Sequence, residues 1–346
     1  MKYFYKDSRL HHSTMQLQEI DSFSIKLLMD NITDRLLPSS PPVVIRPPMI
    51  INERFLPAPI AEHGFSALIE IMSDNKSHSN NNKNIFLFDT GVSENGVIYN
   101  SDVFRVDLRD VETIILSHGH FDHFTGLVNV LRRIFKPTQV ICHPDAFLKR
   151  WIVYPDGKKA KMPFLNEKQL EEVGALIHKV KDTSFLPTNC DNPSLLITGE
   201  IPRKTSFEKG FPLQYMESNL DNRKAEEEVK NLLPDPLVND DQAIIANIKD
   251  KGLVIVTACS HAGIINTINY SKSLTGISKI YAIVGGFHLT GGLNEDIIES
   301  TVRELQNADP SYLIPCHCTG WKATNRIIEA MPEKFIQTSV GTIFNF

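Results

Sequence analysis

No stretch of the 346-residue chain holds the roughly 18 consecutive apolar residues that a membrane-crossing helix requires, and the opening M-K-Y-F-Y-K-D-S-R-L-H-H lacks the apolar centre of a secretory signal. Cysteine is scarce. The five cysteines (Cys142, Cys190, Cys259, Cys316, Cys318) are odd in number and without scaffold spacing, which excludes a disulfide framework and fits a reducing, cytoplasmic setting. An excess of positive charge is also missing. Lys and Arg total 36 against 41 Asp and Glu, so neither nucleic acid nor an anionic membrane is attracted in general, and a small anionic substrate has to be held by local residues. Hydrophobic residues make up 42%, enough at this length for one large α/β domain with insertions. Nothing in the pattern bears on oligomeric state.

What is present in quantity is histidine at one place. The run Ile114-Ile115-Leu116 stops at Ser117 and is followed by His118, His120, Asp122 and His123, after which Thr125-Gly126 leads into a helical pattern. In extended chain His118 and His120 project to one side, and the turn into the helix swings Asp122 and His123 toward a neighbouring point. Such a layout suits two metals side by side. Imidazole and carboxylate at this density match zinc, with iron or manganese as alternatives. The strand, ligand, helix order recurs downstream. Val254-Ile255-Val256-Thr257 runs into Cys259-Ser260-His261, Ile280 to Val284 runs into Gly285-Gly286-Phe287-His288, and Tyr312 to Pro315 runs into Cys316-His317-Cys318. Three histidines thus stand at three strand ends, where an ordinary hydrogen-bonded core histidine is the competing reading. Cys259 and Cys318 are read as pocket-wall residues, since extended chain turns each away from the adjacent histidine.

H-G-H-F-D-H behind a strand resembles the H-x-H-x-D-H signature of the metallo-β-lactamase superfamily. E-H-G-F-S (Glu62 to Ser66), F-D-T-G (Phe88 to Gly91), G-E-I-P-R (Gly199 to Arg203), C-S-H-A-G (Cys259 to Gly263), G-G-F-H-L (Gly285 to Leu289) and H-C-T-G (His317 to Gly320) narrow the likeness. They resemble the branch that includes archaeal dihydropteroate-synthase-like enzymes of methanopterin biosynthesis. The resemblance implies a four-layer αβ/βα sandwich with the site at the edge between two sheets. It further implies one metal on His118, His120 and His261, a second on Asp122, His123 and His317, and support of the metal loop from beneath by Asp89.

The implied reaction is hydrolysis of a phosphoester, lactone or related ester through a metal-bound hydroxide, with Asp122 and His288 as catalytic groups. A pterin methyl diphosphate-dependent transferase that forms a C–N bond is the alternative, and a non-catalytic metal-binding sensor a third. One departure stands out. The superfamily pattern carries a bridging aspartate near the position of Gly286-Phe287-His288, and no aspartate occurs between His261 and Asp296. His288 is therefore expected to serve as ligand, proton donor or substrate contact.

The remaining expectations concern the periphery. Residues 1–21 read as a loosely docked arm preceding a single domain over 22–346. Leu37 to Pro59, with seven prolines, reads as extended surface chain. His78, in an asparagine-rich hairpin tip, reads as solvated. Residues 145–194 read as an insertion arching over the site, with lysines and Arg150 among aromatic anchors. Arg203 is expected to clamp an anionic substrate, with Glu200 beside it, a plain Arg203–Glu200 ion pair being the competing view. His143, ending the strand Gln139 to His143, is a lesser ligand candidate.

Overall fold

Alternation along the strands divides the apolar residues into two faces per sheet, and that division builds the architecture. The computed structural model describes residues 14–72, 83–188, 194–218, 232–292 and 294–346. Its first large sheet runs Ala175–Lys179, Thr138–Cys142, Thr113–Ile115, Lys83–Phe88, Ser66–Met72, Ser22–Met29, Ile343–Asn345 and Val44–Ile45. The second runs Ser184–Phe185, Leu195–Ile197, Ile244–Ile248, Gly252–Val256, Ile280–Gly286 and Tyr312–Cys316. Phe86, Phe88, Ile25 and Leu27 of the first sheet meet Ile244, Ala246, Val254 and Val256 of the second in a shared core. Leu87, Ile85 and Leu28 face the opposite way, against Leu127, Val130, Leu131 and Ile134 of the helix Leu127–Ile134. Ile245, Ile255 and Ile283 likewise meet the helices Ile264–Thr275, Ile298–Ala308 and Trp321–Ala330. Three apolar layers between helices, sheet, sheet and helices constitute the expected four-layer sandwich.

Each sheet contains a parallel set: Lys83–Phe88, Thr113–Ile115 and Thr138–Cys142 in one, Gly252–Val256, Ile280–Gly286 and Tyr312–Cys316 in the other. Loops leaving the carboxyl ends of parallel strands are where open α/β sheets place ligands. The histidines at 118–123, 261, 288 and 317 all lie in such loops. The local sequence enforces the approach. A side chain at Gly119, the residue between the first two histidines, would collide with the backbone of Ala146.

Three peripheral expectations change. Residues 14–21 are docked: Leu17 and Ile20 are buried, and Glu19–Ile20 pairs in parallel with Ile244–Ile248, because two apolar side chains there outweigh the freedom of a short arm. The insertion does not run as one lid over 145–194. Ala175–Lys179 is an edge strand of the first sheet, whereas Arg150–Val153 and Lys159–Lys161 pair with Gln214–Glu217 and Leu232–Pro234 in a separate small sheet. Arg150 is not a solvated lid residue. It is 1% exposed and binds Asp240 through both terminal nitrogens and Asp235 through Nε, tying the small sheet to the sandwich. The asparagine-rich tip with His78, the first thirteen residues and most of the charged segment Leu220 to Leu233 lie outside the described residues. Among the described residues no helix is long and apolar enough to cross a membrane.

Removing one partner of a buried, hydrogen-bonded charge pair leaves the other uncompensated, at a cost of about 3–5 kcal/mol. Arg150→Met is therefore expected to lower unfolding free energy by about that amount. Urea denaturation of the two proteins measures it, and a loss below about 1 kcal/mol, the scale of an exposed pair, would mean that solvent reaches Asp235 and Asp240.

Candidate metal centre

The loops that carry His118 to His123 and His317 are held by carboxylates placed behind them, Asp89 and Asp30. Asp89, buried and at φ +62, accepts from Ser117 N at 2.7 Å and from Ser117 Oγ at 2.6 Å, and contacts His123 Nδ1 at 2.7 Å. Because the serine hydroxyl spends its proton on Asp89, it accepts from His118 Nδ1, 2.8 Å away, which leaves the lone pair of His118 on Nε2. The same logic applies to His123, whose Nδ1 is occupied by Asp89. In His317, Nδ1 lies 3.1 Å from Asn31 Oδ1, with Asp30 accepting from the His317 amide at 2.9 Å. His120 is reversed: its Nε2 contacts Gln214 Oε1 of the small sheet, so Nδ1 carries the lone pair. Fixing the outer nitrogen of an imidazole in this way sets which nitrogen is offered to a metal.

The offered nitrogens converge. Ring centroids are 4.5 Å apart for His118 and His120, 4.8 Å for His118 and His261, 4.6 Å for His120 and His261, and 5.0 Å for His123 and His317. Asp122 Oδ2 stands 3.6 Å from His123 Nε2 and 3.5 Å from His317 Nε2. These gaps are long for hydrogen bonds. They match the roughly 3.3 Å edge of a tetrahedron of donors at about 2.0–2.1 Å from one ion. Among the described residues, buried His118 Nε2, His317 Nε2 and both nitrogens of His261 have no hydrogen-bond partner. Each such group costs about 1–3 kcal/mol unless something else satisfies it, so the donor set fits a metal. The six expected ligands thus gather in one place, the rings of His118 and His123 themselves lying 4.3 Å apart.

Sequence reasoning missed several participants. Cys259 does not face away: its sulfur is 3.3 Å from His123 Nε2, because Ser260 adopts φ +55 and turns the chain back between Cys259 and His261. Cys318 donates to Cys259 Sγ at 3.1 Å, its neighbour His317 having φ +46. His63, within the E-H-G-F-S block, has Nε2 at 3.7 Å from Asp122 Oδ2 and its ring 4.9 Å from that of His317. Asp240 and Gln242, at the start of a strand, also bond across the halves, to Gly119 N and Leu116 O, while Asp241 accepts from Ala262 N beside His261. His288, at φ +43, packs its ring 4.1 Å from His261 and groups with Cys259 and Cys318 beside the first triad.

Two substrate-clamp expectations are corrected. The terminal nitrogens of Arg203 are spent on the carbonyls of Ile201, Leu237 and Val238, so it braces a loop. Glu200 pairs with Lys181 at 3.0 Å rather than with Arg203. His143 is likewise elsewhere, its Nδ1 accepting from Asp145 N and its Nε2 lying 3.4 Å from Glu200.

Electrostatics follow from burial among like groups. Burial first, then the neighbouring imidazoles, hold His118 and His261 well below the ordinary histidine range, and burial with Arg150 pulls His120 down to about 4. His123 behaves oppositely. Burial pushes it down, yet Asp122 and Asp89 outweigh burial and raise it to about 9. Asp122 is driven well below the usual carboxylate range because His123, His317 and His120 outweigh its own burial. Beside the cluster lies a cleft of about 340 Å³, lined by His261, His288, Phe207, Phe287 and Leu289.

A family model described as the metallo-beta-lactamase superfamily matches residues 80–274. The chain is 31% identical to 7,8-dihydropterin-6-methyl-4-(beta-D-ribofuranosyl)-aminobenzene-5'-phosphate synthase of Methanocaldococcus jannaschii, over 83% of this chain and 90% of that protein. It is 32% identical to an uncharacterised protein of the same archaeon, over 82% and 93%. A crystal structure of a metal-dependent hydrolase of the beta-lactamase superfamily superimposes with a TM-score of 0.65 at 21% identity, covering 94% of this chain and 98% of that one.

A metal entering the second triad must displace the proton that His123 retains up to about 9, whereas His118, His120 and His261 hold none near neutrality. Affinity there is expected to rise with pH from 7 toward 9, the His123 proton being released as the ion binds. Asp89→Asn should flatten that slope and weaken binding by about 10–100-fold. Calorimetry in buffers of different ionisation enthalpy reads both quantities, and a pH-independent affinity would contradict the assigned proton.

Proposed function

This chain belongs to the metallo-beta-lactamase superfamily, and from that premise we propose that it is a metal-dependent enzyme whose two triads each hold one transition-metal ion, zinc, iron or manganese. We read its reaction as hydrolysis of a small anionic phosphoester, lactone or related ester. The observation that carries this reading is the set of inward, partnerless imidazole nitrogens with Asp122 Oδ2 at 3.5–3.6 Å from two of them. Metals bound there supply Lewis-acid stabilisation and an acidified water.

The chain's own groups do the rest. Asp122 is the one carboxylate among the facing imidazoles; kept ionised by them, it accepts a hydrogen bond from the attacking group and orients it. His288 lies at the cleft rather than within either triad, placed to donate to the leaving oxygen. Phe211 packs edge-on against His288 at 5.5 Å and tilted against His261 at 6.2 Å, holding the rings in place and keeping that side dry.

A second reading has its own support, the 31% identical relative named as a synthase. There the nucleophile is an arylamine nitrogen, the leaving group is the diphosphate of a pterin methyl diphosphate, and Phe207 and Phe287 offer apolar cleft walls for a flat ring. Amine-dependent release of diphosphate would favour this transferase, whereas ester cleavage without amine favours the hydrolase.

Reconstituted protein is expected to bind between one and two equivalents of transition metal, as read by plasma mass spectrometry. Content near zero would sink both enzyme readings. In His288→Ala metal content should persist while kcat falls by a factor on the order of 10²–10⁴, the scale of a lost proton donor. Unchanged turnover at full metal content would remove His288 from the reaction.

A further inference from the structure

We propose that Cys259 is a metal ligand, its thiolate standing between the two triads and shared by both ions. The inference rests on the two-metal reading above and adds to it an anion that the six predicted ligands do not include.

Position is the first argument. Cys259 is 2% exposed. Its sulfur lies within 4.8 Å of donor atoms of His118 and His261, which are themselves mutually that close, and belongs to a second such group with His123 and His317. No other side chain among the described residues joins a donor group in both triads. The 3.3 Å separation from His123 Nε2 is close to the roughly 3.5 Å expected between a sulfur at about 2.3 Å and a nitrogen at about 2.0–2.1 Å on one tetrahedral ion.

Charge is the second. The predicted ligands are five imidazoles, neutral when bound, and one carboxylate. Two divalent ions bring four positive charges into a buried volume where Asp122 is the one anion among the predicted ligands, Asp89 standing behind His123, and like charges at such separation repel strongly at low dielectric. A thiolate between the ions supplies a second negative charge where repulsion is greatest. Binding is balanced by loss of the thiol proton to solvent: the S–H bond breaks, and the sulfur lone pairs coordinate metal with no change of oxidation state.

Local structure prepares this position. Ser260 is held at φ +55 by hydrogen bonding of its Oγ with Thr257 Oγ1 at 2.9 Å and Gly286 O at 2.8 Å, so Cys259 and His261 turn into the same volume. The strand Ile280–Gly286 ends without a side chain that could enter instead: a Cβ at Gly286 would stand 2.6 Å from Cys318 Sγ. Cys318 donates to Cys259 Sγ at 3.1 Å and thereby orients it, which makes Cys318 a positioning residue.

Cobalt(II) loading tests the proposal without recourse to activity. The loaded protein should show a near-ultraviolet sulfur-to-cobalt charge-transfer band, and X-ray absorption should find about one sulfur neighbour per ion, since one bridging cysteine serves two ions. Cys259→Ser should lose the band and bind the second cobalt at least about tenfold more weakly, whereas Cys318→Ser should keep the band. Cobalt bound to unaltered protein with no sulfur in its shell overturns the inference and leaves the metal-enzyme reading standing. Half a sulfur per ion overturns the bridge, as does a band lost in Cys318→Ser but kept in Cys259→Ser. Failure of unaltered protein to bind cobalt at all overturns the metal-enzyme reading itself. The unaltered protein alone decides most of these outcomes, so poor folding of a variant does not protect the proposal.

Discussion

Imidazole nitrogens packed together with no protein partner are the constraint on which the rest of this molecule depends. His118, His261 and His317 each direct a buried, partnerless nitrogen inward, and their rings are crowded to within about 5 Å of neighbours. Such an arrangement is stable only if rotation of the rings toward other partners is blocked. The blocking groups are Asp89 and Ser117 beneath the first loop, Asn31 and Asp30 beneath His317, and Gln214 behind His120. These come from the first half of the sandwich and from the small sheet, and Asn31 and Asp30 hold His317 of the second half, so the site cannot form before the two sheets have stacked.

Backbone conformation carries part of the same load. Asp89, Ser260, His288 and His317 all occupy the left-handed region, where a side chain beyond glycine costs free energy. Four such residues at one site mean that the surrounding hydrogen bonds over-determine the turns. At Ser260 the consequence is chemical, because an extended chain would have sent Cys259 and His261 to opposite sides. The turn instead delivers a sulfur and an imidazole together.

How far the site could be read in advance follows from which contacts are local. The density of H-G-H-F-D-H and the repeated strand-end histidines made His118, His120, Asp122, His123, His261 and His317 legible, since spacing and strand periodicity act over a few residues. The same periodicity marked strands in both halves, whereas the sandwich that joins them came with the family resemblance. His63 was not legible: its neighbours Asp122 and His317 arrive from other loops. The cross-half bonds of Asp240 and Gln242 were hidden for the same reason. Arg150 and Arg203 misled in one direction. Both looked like surface cations waiting for an anion, and both are engaged inside the protein, Arg150 with two aspartates and Arg203 with backbone carbonyls.

That engagement shapes what can enter. With Arg203 committed to its loop and Glu200 paired to Lys181, neither supplies a free charge at the cleft. The lining there combines His261 and His288 with Phe207, Phe287 and Leu289, and Lys209 is the one cation at its edge. A substrate anion therefore finds little fixed positive charge apart from whatever ions the triads hold. Recognition of the charged group and its activation consequently fall to the same centre, while the apolar walls select the remainder of the molecule by shape. On the proposed reading such a centre would discriminate among anionic substrates mainly by what is attached to the reacting group, so Phe207 and Phe287 would govern specificity more directly than Lys209.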